Sequence, residues 1–207
     1  MKKLLLSLSM LTITAFLYSC DKKDDPQPDV ELDAQLVSNI EAPGDVIDRT
    51  TGTITKENPF VYFSLEENKL AESKDGNWDI GFKGTTIIIN SGISGAGSAQ
   101  AFVATGIFDE FEEVDSSTEF KSDSDSGMAI PTGSGNGWYN YNSTTHIVSP
   151  IPGRIVLVKT NAGNYAKIEI LSYYKDNPAL EDVNPMVTPG SFYTFRFVLQ
   201  PNGSMKF

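Results

Sequence analysis

One cysteine and one histidine in 207 residues are the scarcest chemical resources of this chain. The cysteine, Cys20, stands near the N-terminus, so no intrachain disulfide can form and the core must rest on packing. A single imidazole, His146, leaves a zinc site with only carboxylates to complete it. A Ser-His-Asp set would have to run through His146, and no Gly-x-Ser-x-Gly elbow accompanies it; Ser134, between Gly133 and Gly135, reads as a turn. Carboxylates are plentiful, yet nothing singles out a pair for glycoside hydrolysis. These absences argue against an enzyme and for a binding protein. Basic side chains are also in the minority, 16 Lys plus Arg against 27 Asp plus Glu, a formal charge of −11. Such a field repels nucleic acid and anionic lipid headgroups.

Long apolar runs are missing except for Leu4 to Leu17, which is too short to span a bilayer. With Lys2 and Lys3 before it and small Ser19 after it, residues 1–19 read as a signal peptide. Leu17-Tyr18-Ser19-Cys20 resembles a bacterial lipobox, which implies lipidation of Cys20, palmitate included, and a firm anchor from several acyl chains. Asp21-Lys22-Lys23-Asp24-Asp25 is similar to the tag that sends lipoproteins of Bacteroidetes-type bacteria to the cell surface. Residues 20–34, with Pro26 and Pro28, are then the lipidated cysteine and an acidic tether, and 35–207 a single domain. Loss of Lys2 and Lys3 leaves 14 basic against 27 acidic residues, 14 − 27 = −13, so the lipid and not charge would hold the protein to its membrane.

Thr, Val, Ile, Tyr and Phe recur in short bursts separated by Gly, Pro, Asn, Asp and Ser, which predicts an all-β fold of antiparallel sheets. Edge strands are expected at Leu36 to Ile40, Val46 to Ile47 and Gly52 to Thr55, and a buried strand at Phe60 to Leu65. Glu66 to Asp75 suits a helical turn. Trp78, Ile80 and Phe82 alternate with Asp79 and Gly81 and should pair with Thr85 to Ile89 around Lys83-Gly84. Asn90 to Ser98 is rich in glycine but lacks the Lys-Ser/Thr of a phosphate loop, so a flexible surface loop is expected. Ala101 to Thr105 reads as a strand. The acidic run Asp109 to Asp115 and the pair Asp123, Asp125 lack calcium-loop spacing and read as a solvated face. Arg154 to Thr160 and Tyr165 to Leu171 form a hairpin with Lys167 and Glu169 pointing outward. Pro178 to Pro189 is a loop, and Ser191 to Gln200 with Ser204 to Phe207 a final hairpin.

The stretch Gly137 to Thr160 concentrates the binding chemistry: Trp138, Tyr139, Tyr141, His146 and a Pro150-Ile151-Pro152 turn before an apolar strand. The rings can stack on a flat ligand such as a sugar or porphyrin, and His146 or a methionine can reach an iron. The plainer alternative is that the rings bury one face of a strand and that His146 stabilises a turn.

Several ordered motifs resemble the HmuY family. They are Trp78-Asp79-Ile80-Gly81-Phe82, the run Ala129 to Tyr141, Thr145-His146 leading to Pro150-Ile151-Pro152-Gly153-Arg154, the run Tyr165 to Lys175, and Tyr193 to Phe197. The resemblance implies a cupped, hand-like β fold on a lipoprotein of the outer membrane, facing the exterior. It also implies capture of heme for a TonB-type receptor, and iron held by two histidines or two methionines. This chain departs from the first pattern, since a second histidine does not exist. Of its methionines, Met128 precedes the Ala129 to Tyr141 run, Met186 lies in a loop and Met205 near the end. Heme held by His146 and Met128, with Met186 as the other thioether and Trp138, Tyr139 and Tyr141 as walls, is the expected site. The alternative is a glycan-binding or adhesion module with those three rings as platforms, which requires at least two of them accessible on one face.

Overall fold

A computed structural model describes residues 32–207. The expected signal peptide, Cys20 and nearly all of the tether lie outside the described residues. Leu32–Phe207 forms one compact unit.

The architecture is all-β and antiparallel, as the burst pattern predicts. The larger sheet contains β1 (Gln35–Glu41), β8 (Gln100–Thr105), β11 (Arg154–Lys159), β12 (Tyr165–Tyr174) and β13 (Gly190–Gln200), in the order β1-β13-β12-β11-β8. A second sheet has the order β5-β4-β6-β7, from β4 (Val61–Ser64), β5 (Lys69–Ala71), β6 (Ile80–Lys83) and β7 (Thr86–Ile89). Two ribbons complete it: β2 (Val46–Ile47) with β3 (Ile54–Lys56), and β9 (Tyr139–Asn142) with β10 (Ile147–Pro150).

The main core lies between the two large sheets. Phe63 and Phe82 of the smaller sheet meet Phe195 at ring separations of 5.4 and 5.7 Å, and Phe82 meets Tyr193 at 4.6 Å. Each such ring, removed from water, contributes about 2–3 kcal/mol of apolar burial. The unbroken apolar run of β11 is explained by burial on both faces. Val156 and Val158 enter the main core, whereas Ile155 and Leu157 join Val114 in a smaller cluster on the other face.

That second cluster corrects two expectations. Lys167, opposite Leu157 in the register, is buried rather than outward. Its Nζ donates to the carbonyls of Phe108 (2.8 Å) and Phe111 (2.9 Å), between the rings of Phe108 and Phe207. Burial pushes its pKa down. The C-terminal segment does not return beside β13. It joins the 112–114 stretch, where Val114 N–H donates to Met205 O and Phe207 N–H to Glu112 O, and so covers the apolar outer face of β11.

Two further expectations fail. Glu66 to Asp75 holds no helical turn; a tight turn with Asn68 at φ +47° leads into β5, which pairs with the free side of β4. The Asn90 to Ser98 loop is pinned, not loose. Asn90 donates to Trp78 O, and Asn161 Oδ1 accepts from the N–H groups of Ser98 and Ala99. At Gly92 (φ +58°) a Cβ would lie 1.8 Å from Asp123 O. Among the described residues no helix is long and apolar enough to cross a membrane.

Candidate functional site

The β9–β10 ribbon carries the site from its root to its tip. At the root, Trp138 is 2% exposed; its Nε1 donates to Thr85 O (2.9 Å), and its ring meets Tyr139, Tyr193 and Tyr173 at 5.0, 5.2 and 6.0 Å. Tyr139 is also buried, its hydroxyl accepting from Thr85 Oγ1. The Pro131 to Gly137 loop braces the ribbon: Ser134 Oγ accepts from Tyr141 N–H (2.8 Å) and Gly135 N–H donates to Tyr139 O.

At the tip, Asn142 organises the turn. Its Oδ1 accepts from the N–H groups of Thr144 (2.9 Å) and Thr145 (3.1 Å), and its carbonyl from His146 N–H (2.7 Å). His146 closes the turn in the left-handed region at φ +60°, a conformation uncommon outside glycine but tolerated by His. Both His146 and Tyr141 are exposed, and Tyr141 Oη lies 2.7 Å from His146 Nδ1. Nε2 makes no hydrogen bond among the described residues.

Beside the ribbon, Tyr174 at the end of β12 accepts Val148 N–H on its hydroxyl (2.9 Å). There the chain leaves the sheet for the 175–189 loop, which closes where Lys175 N–H donates to Pro189 O. Within it, Asn184 Oδ1 accepts from Met186 N–H (3.0 Å), in a turn that leaves Met186 88% and Val187 74% exposed. The loop and the ribbon therefore spring from the same end of the large sheet. Deeper in the fold, Tyr193 donates to Gly84 O and Tyr173 Oη bonds Ser191 Oγ; burial pushes both phenols up.

Of the predicted site residues, Tyr141 and His146 touch, and Met186 lies in the loop that leaves β12 where Tyr174 bonds Val148 of the ribbon. Met128, half-buried, precedes Ala129, whose N–H is held by Asp123 Oδ1, while Asp123 Oδ2 accepts from Ile89 N–H. Met128 is therefore anchored at the Ile89 end of β7, whereas Trp138 is anchored at Thr85, four extended residues or about 13 Å away. Trp138 and Tyr139 are not open platforms: the interface with the smaller sheet needs their rings, which leaves Tyr141 as the one accessible ring of the three and the glycan reading without its second surface. Tyr173 and Tyr174 support the site without having been singled out, and Ser134, read as a turn, braces it. The paired tyrosines ending a strand of alternating pattern were the available signal.

The family model described as HmuY protein matches residues 56–186, more than half of the chain. The chain belongs to the HmuY family. The match takes in Met128, the whole β9–β10 ribbon and the loop as far as Met186. No curated protein matches this HmuY-family chain. Solved structures similar to it include an apo HmuY analog of Tannerella forsythia, 14% identical with a TM-score of 0.45, over 83% of this chain and 96% of that one. Another is a candidate HmuY-like heme binding protein of Bacteroides vulgatus ATCC 8482, 15% identical with a TM-score of 0.44, over 78% and 97%. A candidate lipoprotein of Bacteroides fragilis NCTC 9343 is 13% identical with a TM-score of 0.44, over 67% and 83%.

Proposed function

We propose that this HmuY-family protein binds heme or a related porphyrin at the ribbon end of the molecule. In this reading Cys20 carries the lipid that holds it to the outer membrane, facing outward, and a TonB-type receptor takes the ligand onward. The observation that carries the proposal is the placement of the only histidine: exposed, in a left-handed turn, and hydrogen-bonded at 2.7 Å to the exposed Tyr141.

The donor set fits the group. Imidazole, phenol and thioether are all side chains that hold heme iron, and His146, Tyr141 and Met186 present one of each at the same end. Bound heme would supply a flat apolar macrocycle and an iron with open axial positions. The chain's own part is to offer axial donors from the ribbon tip and the 175–189 loop. The clefts lined by Glu67 to Asn77 and by Pro59 to Lys74 include neither Tyr141 nor His146.

Titration of the soluble domain with hemin, followed at the Soret band, tests the reading. A saturable shift is expected in the wild type and in Met128→Ala, with weaker binding in Met186→Ala and none at this site in the double variant Tyr141→Phe/His146→Gly. A wild type with no shift would overturn the function, and an unaffected double variant would move the site elsewhere.

A further inference from the structure

Deepening the heme reading, on which it rests, we infer that the Tyr141–His146 pair acts as one unit in which the Tyr141 phenol oxygen is an iron ligand and His146 is the residue that positions it. Four observations converge on this assignment. Tyr141 is the one exposed tyrosine among the described residues; the other tyrosines of this end, 139, 173, 174 and 193, have buried rings or hydroxyls engaged inside the fold. Its backbone is the better fixed of the two, being paired with Val148 in the ribbon and clamped through its N–H by Ser134 Oγ. His146 Nδ1 stands at hydrogen-bond distance from the phenol oxygen, 2.7 Å, while the other ring nitrogen has no hydrogen-bond partner among the described residues. Finally, the Asn142-centred turn holds His146 at φ +60°, the backbone position from which its ring reaches Tyr141.

The chemistry balances. With heme bound, Tyr141 would hold ferric iron through its phenol oxygen, its proton going to solvent and a water ligand being given up, while His146 Nδ1 would orient that oxygen from 2.7 Å. A hard anionic oxygen suits ferric iron better than ferrous, whereas imidazole and thioether hold both. A chain with one histidine gains an anionic ligand in this way without a second imidazole.

The test reads spectra rather than uptake. Ferric hemin is added to the wild type, Tyr141→Phe and His146→Gly, each first shown by circular dichroism to be folded, and the complexes are examined by resonance Raman and visible absorption. Expected are phenolate vibrational modes and a phenolate-to-iron charge-transfer band in the wild type, both absent from Tyr141→Phe. His146→Gly should keep the modes but bind about 10- to 100-fold more weakly, as loss of a supporting hydrogen-bond partner does at metal sites. Chemical reduction should weaken heme binding in the wild type more than in Tyr141→Phe. A wild-type complex without phenolate modes, or one whose spectrum survives Tyr141→Phe and is lost in His146→Gly, would overturn the assignment while leaving heme binding in place. A wild type with no Soret change would fail the parent reading and this inference together.

Discussion

His146 occupies a backbone position that glycine would hold at lower energy, since a side chain at φ +60° meets steric conflict of about 1–2 kcal/mol. Its one side-chain contact, to Tyr141, is exposed and so contributes about 0.5–1 kcal/mol at most. Set against the larger chain entropy of glycine when unfolded, these terms nearly cancel. His146→Gly is therefore expected to melt within about 1 kcal/mol of wild type while removing the imidazole altogether; a loss of several kcal/mol in a urea melt would mean that the histidine is structural. At this scale the sequence could single out His146 by its rarity and Tyr141 by its neighbourhood. It could not separate Tyr141 from Trp138 and Tyr139, because the strand alternation does not say which face meets another sheet. It could not rank Met128 against Met186 either. Their difference arises from Asp123, which ties the residue after Met128 to the end of β7 across a long sequence separation.

Elements were more legible than their surroundings. The bursts at β4, β6 and β11 to β13 declare themselves through β-branched and aromatic residues, and the Asn161 to Gly163 turn through its composition. What escaped was the cover on the outer face of the large sheet, which comes from the Phe108 to Phe111 turn and the chain's last residues; with that cover absent from view, Lys167 reads as solvated. The glycine-rich stretch misled for a related reason. Its glycines allow close packing rather than looseness: a Cβ at Gly95 would lie 2.1 Å from Asn90 Oδ1 and one at Gly97 2.2 Å from Asn161 Oδ1. Gly92 is the sharpest instance, with a backbone carbonyl at 1.8 Å and a left-handed φ. Gly92→Ala should accordingly destabilise the domain by about 2–4 kcal/mol in a chemical melt, through combined strain and displacement of the Asp123 segment. Gly52→Ala, also left-handed but in open space, should cost only about 1 kcal/mol.

At the scale of the molecule, the two large sheets share one core and are also joined by a polar knot that no sequence pattern announced. Asp79 is 1% exposed; its Oδ2 accepts from Leu65 N–H (2.9 Å), and its Oδ1 from Asn161 N–H (3.0 Å) and Nδ2 (3.3 Å). Leu65 follows β4 and Asn161 follows β11, so one carboxylate spans both sheets. Burial is the largest influence on this group and pushes its pKa above the ordinary carboxylate range, against the hydrogen bonds that pull it down. Between its unfolded and folded pKa the native state therefore binds more protons than the unfolded chain, so stability from this group is present in acid and declines as pH rises through the folded pKa. An asparagine at this position cannot titrate and turns an amide N–H₂ toward an N–H donor. Asp79→Asn is thus expected to cost about 1–3 kcal/mol at neutral pH, by leaving a buried donor without an acceptor. The gap to wild type should widen as pH falls from about 7 to about 4, because only the wild type gains from protonation there. Urea melts followed by far-ultraviolet dichroism and by the fluorescence of Trp78 and Trp138 check this. The two probes should move together in both proteins, since Trp78 precedes β6 of one sheet while the Asn161 that bonds its carbonyl belongs to the other. A gap that narrows toward acid, or probes that part company, would mean that Asp79 does not join the sheets in the way its bonds imply.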